Sequence, residues 1–120
     1  MVLELTDKNY TKIIEETETA IFIDFFSPSC APCQTLMTYM DKINNYGIEN
    51  NVLVLKCDVS KSPKIAAKYQ IQSVPFTCVI NQNKEIKYPD SGLKDIAYYI
   101  SLISKFNPNK KSFFQKLFNL

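Results

Sequence analysis

The chain has 120 residues, with fourteen basic side chains against twelve acidic ones and no histidine. That length calls for one domain, and a composition 46% hydrophobic and 22% charged with only two glycines excludes disordered and fibrous classes. All the cations are lysine, so bidentate reading of guanine or phosphate is out of reach and no nucleic-acid partner is expected; the missing histidine removes the usual base of a Cys-His hydrolase and the commonest zinc ligand.

The opening MVLELTDKNY carries Glu4 and Asp7 and no basic stretch ahead of an apolar run, so a cleaved signal peptide is not expected. No apolar run approaches the roughly 20 residues that span a bilayer. The expected compartment is therefore the cytosol, where disulfides tend to be catalytic or transient. A short strand is predicted over residues 2–5. A Thr6-Asp7 start signal then leads into a first helix with Tyr10, Ile13, Ile14 and Thr17 at helical spacing. TAIFIDFF, residues 19–26, reads as a central strand covered on both faces. Pro32 suits the first turn of a second helix, whose apolar face is Leu36, Met37, Met40, Ile43 and Tyr46 and whose end is predicted at Gly47.

NVLVLKCD, residues 51–58, is a third strand, and Ser62-Pro63 looks like an N-cap and first helical residue opening a short helix through Ala66, Ala67 and Tyr69. Residues 76–80 and 84–88 flank the polar turn Asn81-Gln82-Asn83 and are predicted to pair as an antiparallel hairpin. Leu93, Ile96, Ala97, Ile100 and Ile103 form the stripe of a last main helix. The order β-α-β-α-β-α-β-β-α implies an α/β fold, a mixed sheet with helices on its faces.

Cys30 and Cys33 stand three positions apart where the central strand gives way to the second helix. A cysteine at a helix start faces unpaired backbone N–H groups and the positive end of the macrodipole, which favour thiolate. Its neighbour one turn on is placed to attack a mixed disulfide formed by the first. Two other readings stay open at this point: both cysteines are simply buried small hydrophobes, or they are half of a zinc site. Zinc lacks ligands, because Cys57 and Cys78 stand alone inside separate strand patterns and read as core residues. No metal is expected.

The segment Ile23-Asp24-Phe25-Phe26-Ser27-Pro28-Ser29-Cys30-Ala31-Pro32-Cys33 resembles the active-site segment of thioredoxins. About 40 residues on, Ile71-Gln72-Ser73-Val74-Pro75-Phe76-Thr77 resembles the segment of that family that ends in a cis-proline. The resemblance covers residues 1–106 and implies a thioredoxin fold, with residues 107–120 as a separate basic amphipathic tail. It implies a thiol–disulfide oxidoreductase that reduces protein disulfides, with Cys30 as nucleophile and Cys33 as resolving thiol. Asp24, a carboxylate inside an apolar strand, would be general base for Cys33 through a water, and Lys56 matches the family lysine near that carboxylate. An ordinary strand lysine reaching solvent is the plainer reading of Lys56. Pro75 would be cis against the disulfide, and Val74 would offer its backbone N–H and C=O to an extended substrate segment. Ser29, Ala31 and Pro32 complete the substrate-facing set.

No cofactor beyond the Cys30–Cys33 disulfide is implied. The implied partners are disulfide-containing proteins and a thioredoxin reductase or another thiol reductant, acting on a monomer. Ser29 replaces the usual tryptophan and Ala31-Pro32 the usual Gly-Pro, so the redox poise is not fixed by the resemblance. The second helix lacks the family's mid-helix proline, and YPDSGLKD is shorter than usual before the closing helix. A glutaredoxin-like protein fits Asp24 and Lys56 less well. The competing class is a thioredoxin-fold interaction module with non-catalytic cysteines. Its tail, KKSFFQKLFNL, pairs Phe113 with Leu117 and Phe114 with Phe118 at four-residue spacing and would dock on a partner or a membrane.

Overall fold

A computed structural model describes residues 1–109. The tail residues predicted to dock, from Lys110 on, lie outside the described residues. The elements run β1 (Leu3–Glu4), α1 (Tyr10–Glu16), β2 (Ala20–Phe26), α2 (Ala31–Glu49), β3 (Val52–Asp58), α3 (Pro63–Lys68), β4 (Phe76–Ile80), β5 (Ile86–Ser91) and α4 (Ile96–Ser104). The five strands form one sheet in the order β1-β3-β2-β4-β5, parallel through β1, β3 and β2 and antiparallel from β2 to β4 to β5. No helix among the described residues is long and apolar enough to cross a membrane.

Side chains alternate across a strand, so β2 feeds two cores. Ala20 and Phe22 pack with Leu36, Met40 and Ile43 of α2 and Tyr99, Leu102 and Ile103 of α4. Ile21, Ile23 and Phe25 pack on the other side with Ile14 of α1 and Ile65 of α3. Six of the seven β2 residues are buried, as expected of a central strand covered twice.

The element order follows the sequence expectation, while several local signals resolve differently. The first helix starts at Tyr10, not at the Thr6-Asp7 signal. Thr6 and Asn9 exchange bonds ahead of it, Thr6 N donating to Asn9 Oδ1 (2.7 Å) and Asn9 N to Thr6 Oγ1 (3.3 Å). Asp7 instead caps α3: its carboxylate accepts from the backbone N–H groups of Lys64 (3.2 Å) and Ile65 (3.0 Å). Ser62 occupies the N-cap position there, but its hydroxyl makes no capping bond.

Gly47 does not end the second helix, which continues to Glu49. A Cβ on Gly47 would lie 2.6 Å from Val52 O and 2.6 Å from Val54 Cγ2, so the missing side chain lets α2 close on β3. Strand β5 begins at Ile86 rather than at Lys84. The Asn81 side chain accepts from the N–H groups of Asn83 (3.0 Å) and Glu85 (2.9 Å), holding the polar turn open two residues longer. The strand then runs on to Ser91 with Pro89 inside it, tolerated because β5 is an edge. The buried face of α4 is Tyr99, Leu102 and Ile103 with Phe106 packed beside it, a phase rotated from the predicted stripe; Leu93 and Ala97 are exposed.

Candidate functional site: a disulfide at a strand-to-helix junction

Strand β2 ends at Phe26, and four residues later α2 begins with Cys30 as its N-cap and Pro32 in its first turn. Pro32 costs nothing there, because the first helical N–H groups have no partner inside the helix. Cys30 and Cys33 are joined as a disulfide with Cα atoms 5.2 Å apart. The two sulfurs differ in access. Cys33 is completely buried, whereas Cys30 is partly exposed and its Sγ accepts from the Cys33 backbone N–H at 3.1 Å. A helix of 19 residues thus points its N–H groups and the positive end of its dipole at the more accessible sulfur. In the dithiol form that field favours the Cys30 thiolate.

The loop before β4 closes the other side. Its Val74-Pro75 bond is cis, and the Val74 carbonyl oxygen lies 3.6 Å from Cys30 Sγ. Pro75 is buried, and its own carbonyl accepts from Gly92 N at 2.8 Å. Gly92 has φ +90°, a conformation that suits glycine, so the segment leaving β5 passes close to the proline. Ser29, Ala31 and Pro32 are exposed around Cys30.

Asp24 lies two residues before the end of β2, completely buried, and neither carboxylate oxygen has a hydrogen-bond partner among the described residues. Strand alternation turns it to the same side as Phe22, the layer of α2 in which Cys33 is buried. Its Cα partners are Lys56 on β3 and Thr77 on β4. Burial pushes the Asp24 carboxyl up to about 7, with the Lys56 charge opposing. Lys56 lies beside Asp24 in the strand register and makes no ion pair with it.

Sequence reasoning missed Thr77 and Tyr99. Thr77 flanks Asp24 only through the antiparallel register of β4, and Tyr99 enters the core only in the rotated phase of α4. Cys57 and Cys78 are buried and free, as expected, and burial pushes their thiols up to about 11 and about 12. Among the described residues no group of three or more histidine, cysteine, aspartate or glutamate side chains could hold a metal.

Two cysteines that close one bond without disturbing the strand before them or the helix after them, one reachable and one not, suit disulfide exchange with another molecule. That is the chemistry of thiol–disulfide oxidoreductases. The thioredoxin family model matches residues 1–101. The thioredoxin of Rickettsia prowazekii is 30% identical over 105 residues, covering 88% of this chain and 98% of that protein. The thioredoxin of Rickettsia bellii is 31% identical over 93 residues, 78% of this chain and 87% of its own. In fold, a mutant thioredoxin from Halobacterium salinarum superposes with a TM-score of 0.77 at 20% identity, covering 91% of this chain and 93% of that one. Chloroplastic thioredoxin z gives 0.76 at 21%, covering 88% and 93%. The chain belongs to the thioredoxin family, has the thioredoxin fold, and is a thiol–disulfide oxidoreductase.

Proposed function

We propose that this protein is a cytosolic reductant of protein disulfides, recharged by a thioredoxin reductase or another thiol reductant. The observation that carries the reading is the asymmetry of the pair: Cys30 partly exposed at the helix N-cap and 3.6 Å from the Val74 carbonyl, Cys33 completely sealed behind it.

The Cys30 thiolate attacks one sulfur of a substrate disulfide, forming a mixed disulfide and releasing the other sulfur as a thiolate. The substrate segment lies extended against the loop before β4, pairing with the Val74 N–H and C=O in the manner of an added strand while Pro75 backs the sulfurs. Ser29, Ala31 and Pro32 supply the rest of the contact, uncharged and with no large side chain. Asp24 then takes the Cys33 proton through a water; burial raises its affinity for that proton, and the Lys56 charge opposes the rise. The Cys33 thiolate attacks Cys30 Sγ, the second substrate thiol leaves, and two electrons have passed to the substrate.

The direction of flow is tested by equilibrating the protein with reduced and oxidised glutathione at fixed ratios. A reductant has a potential near or below about −250 mV; a value near −180 mV, the range of disulfide isomerases, would reverse the assignment.

A further inference from the structure

Tyr99 is the largest fully buried side chain in the described fold, and its hydroxyl has only part of its hydrogen bonding accounted for. The oxygen accepts from the Lys94 backbone N–H at 3.0 Å. A tyrosine hydroxyl also carries one hydrogen to donate, and none of the bonds made by the described residues uses it. Asp24 presents the complementary lack: a buried carboxylate with no donor on either oxygen. Both groups face the layer between the sheet and α2/α4. The Tyr99 ring stands edge-on to Phe22, two residues before Asp24 on the same strand face, with centroids 6.0 Å apart. Burial pushes the Tyr99 hydroxyl up, its bond from Lys94 opposes that, and the Asp24 charge adds to the rise.

We propose that Tyr99 is a positioning residue for Asp24: its hydroxyl hydrogen is directed through water onto the buried carboxylate, so that α4 sets the proton affinity of the group facing Cys33. This deepens the reading of Asp24 as the base for Cys33 and rests on it. Lys56 of β3 and Thr77 of β4 are the Cα partners of Asp24, and Cys33 of α2 and Tyr99 of α4 are buried in the helical layer on its side of the sheet. Of these only Tyr99 pairs a free hydroxyl hydrogen with an anchor to the rim. Lys94, whose N–H Tyr99 receives, also bonds Ser91 O (3.0 Å) and Asp90 (3.5 Å) through its ammonium. The same segment ties Gly92 N to the Pro75 carbonyl. Tyr99 therefore joins the carboxylate pocket to the strap beside the cis-proline.

The test is an NMR titration of the Asp24 side-chain carboxyl in the full oxidised chain, where Cys33 is locked in the disulfide and does not titrate. Tyr99→Phe keeps the ring against Phe22 and removes the hydroxyl. Losing a donor to the charged form makes Asp24 a weaker acid, so its midpoint should rise, corresponding to a three- to tenfold weaker acid. An unchanged midpoint overturns the proposal. The variant also releases Lys94; that alone would raise KM for a protein substrate and leave the Asp24 midpoint in place, which counts against the proposal. A second reading needs no variant of Tyr99: the Tyr99 Cζ resonance should shift with the Asp24 midpoint and lose that step in Asp24→Asn. A Cζ resonance blind to Asp24 overturns it even if Tyr99→Phe fails to fold. Neither readout depends on catalysis, so failure of Asp24 as the base for Cys33, seen as unchanged resolution in Asp24→Asn, is told apart from failure at Tyr99.

Discussion

Asp24 and Lys56 stand side by side on parallel strands, Cα partners on one sheet face, yet no ion pair joins them and Asp24 keeps both oxygens bare of partners among the described residues. The carboxyl is held up to about 7 against an ordinary 3.8 by burial. An acid whose folded midpoint lies above its free value binds its proton more tightly in the native state, so stability falls as pH rises from about 4 to about 7 and is flat above. Asp24→Asn should therefore stabilise the oxidised protein at pH 8, by on the order of 2–4 kcal/mol. The gain should shrink steadily as pH is lowered toward 4. Urea unfolding at several pH values checks this; a gain independent of pH would mean that the Asp24 charge carries no cost.

The difference in access within the cysteine pair predicts a labelling pattern. In the reduced protein at pH 7, iodoacetamide should modify Cys30 first, with Cys33 slower by on the order of a hundredfold. Cys57 and Cys78, buried with thiols raised to about 11 and about 12, have a thiolate fraction of roughly one in ten thousand or less at that pH and should stay unmodified until the chain unfolds. Mass spectrometry of the digested protein reads the order directly, and early label on Cys33 would contradict the assignment of roles.

Gly47 is held to glycine by packing. Alanine there would gain helix propensity but bring its Cβ within 2.6 Å of Val52 O and Val54 Cγ2. Gly47→Ala should lose about 1–3 kcal/mol, measured as a lower urea midpoint with an unchanged slope. The rate of disulfide exchange by the folded protein should not move, because Gly47 lies four turns along α2 from Cys33.

Asp7 ties the turn after β1 to the start of α3. Replacing it with alanine leaves the Lys64 and Ile65 N–H groups without their acceptor and should cost about 1 kcal/mol. Amide exchange at Lys64 and Ile65 should speed up while the β2 core keeps its protection; equal loss in both would indicate a global effect and not a lost cap.

The order of elements was legible because each carried its own local pattern: the apolar run TAIFIDFF for a doubly covered strand, Pro32 and Pro63 for helix starts. The site was legible as two short segments, Cys30 to Cys33 and Val74-Pro75, whose meeting depended on the family resemblance and not on any local rule. What escaped was set by contacts far apart in the chain. Asp7 reads as a helix start from its neighbours, but its acceptors serve N–H groups 57 and 58 residues away. Gly47 reads as a terminator until β3 is seen lying against it. The helix IAYYISLIS is apolar on nearly every side, so periodicity alone could not choose its buried face; the ring of Phe22 across the core did.

Insulin reduction is the most direct measure of the central claim, that the Cys30/Cys33 pair passes electrons to protein disulfides. With dithiothreitol as donor, the wild-type protein should accelerate separation of the insulin chains well above the donor-only rate. Cys30→Ser should fall to that background, and Cys33→Ser should accumulate a disulfide-linked adduct through Cys30. Wild-type protein indistinguishable from Cys30→Ser would contradict the account and favour a binding module with idle cysteines.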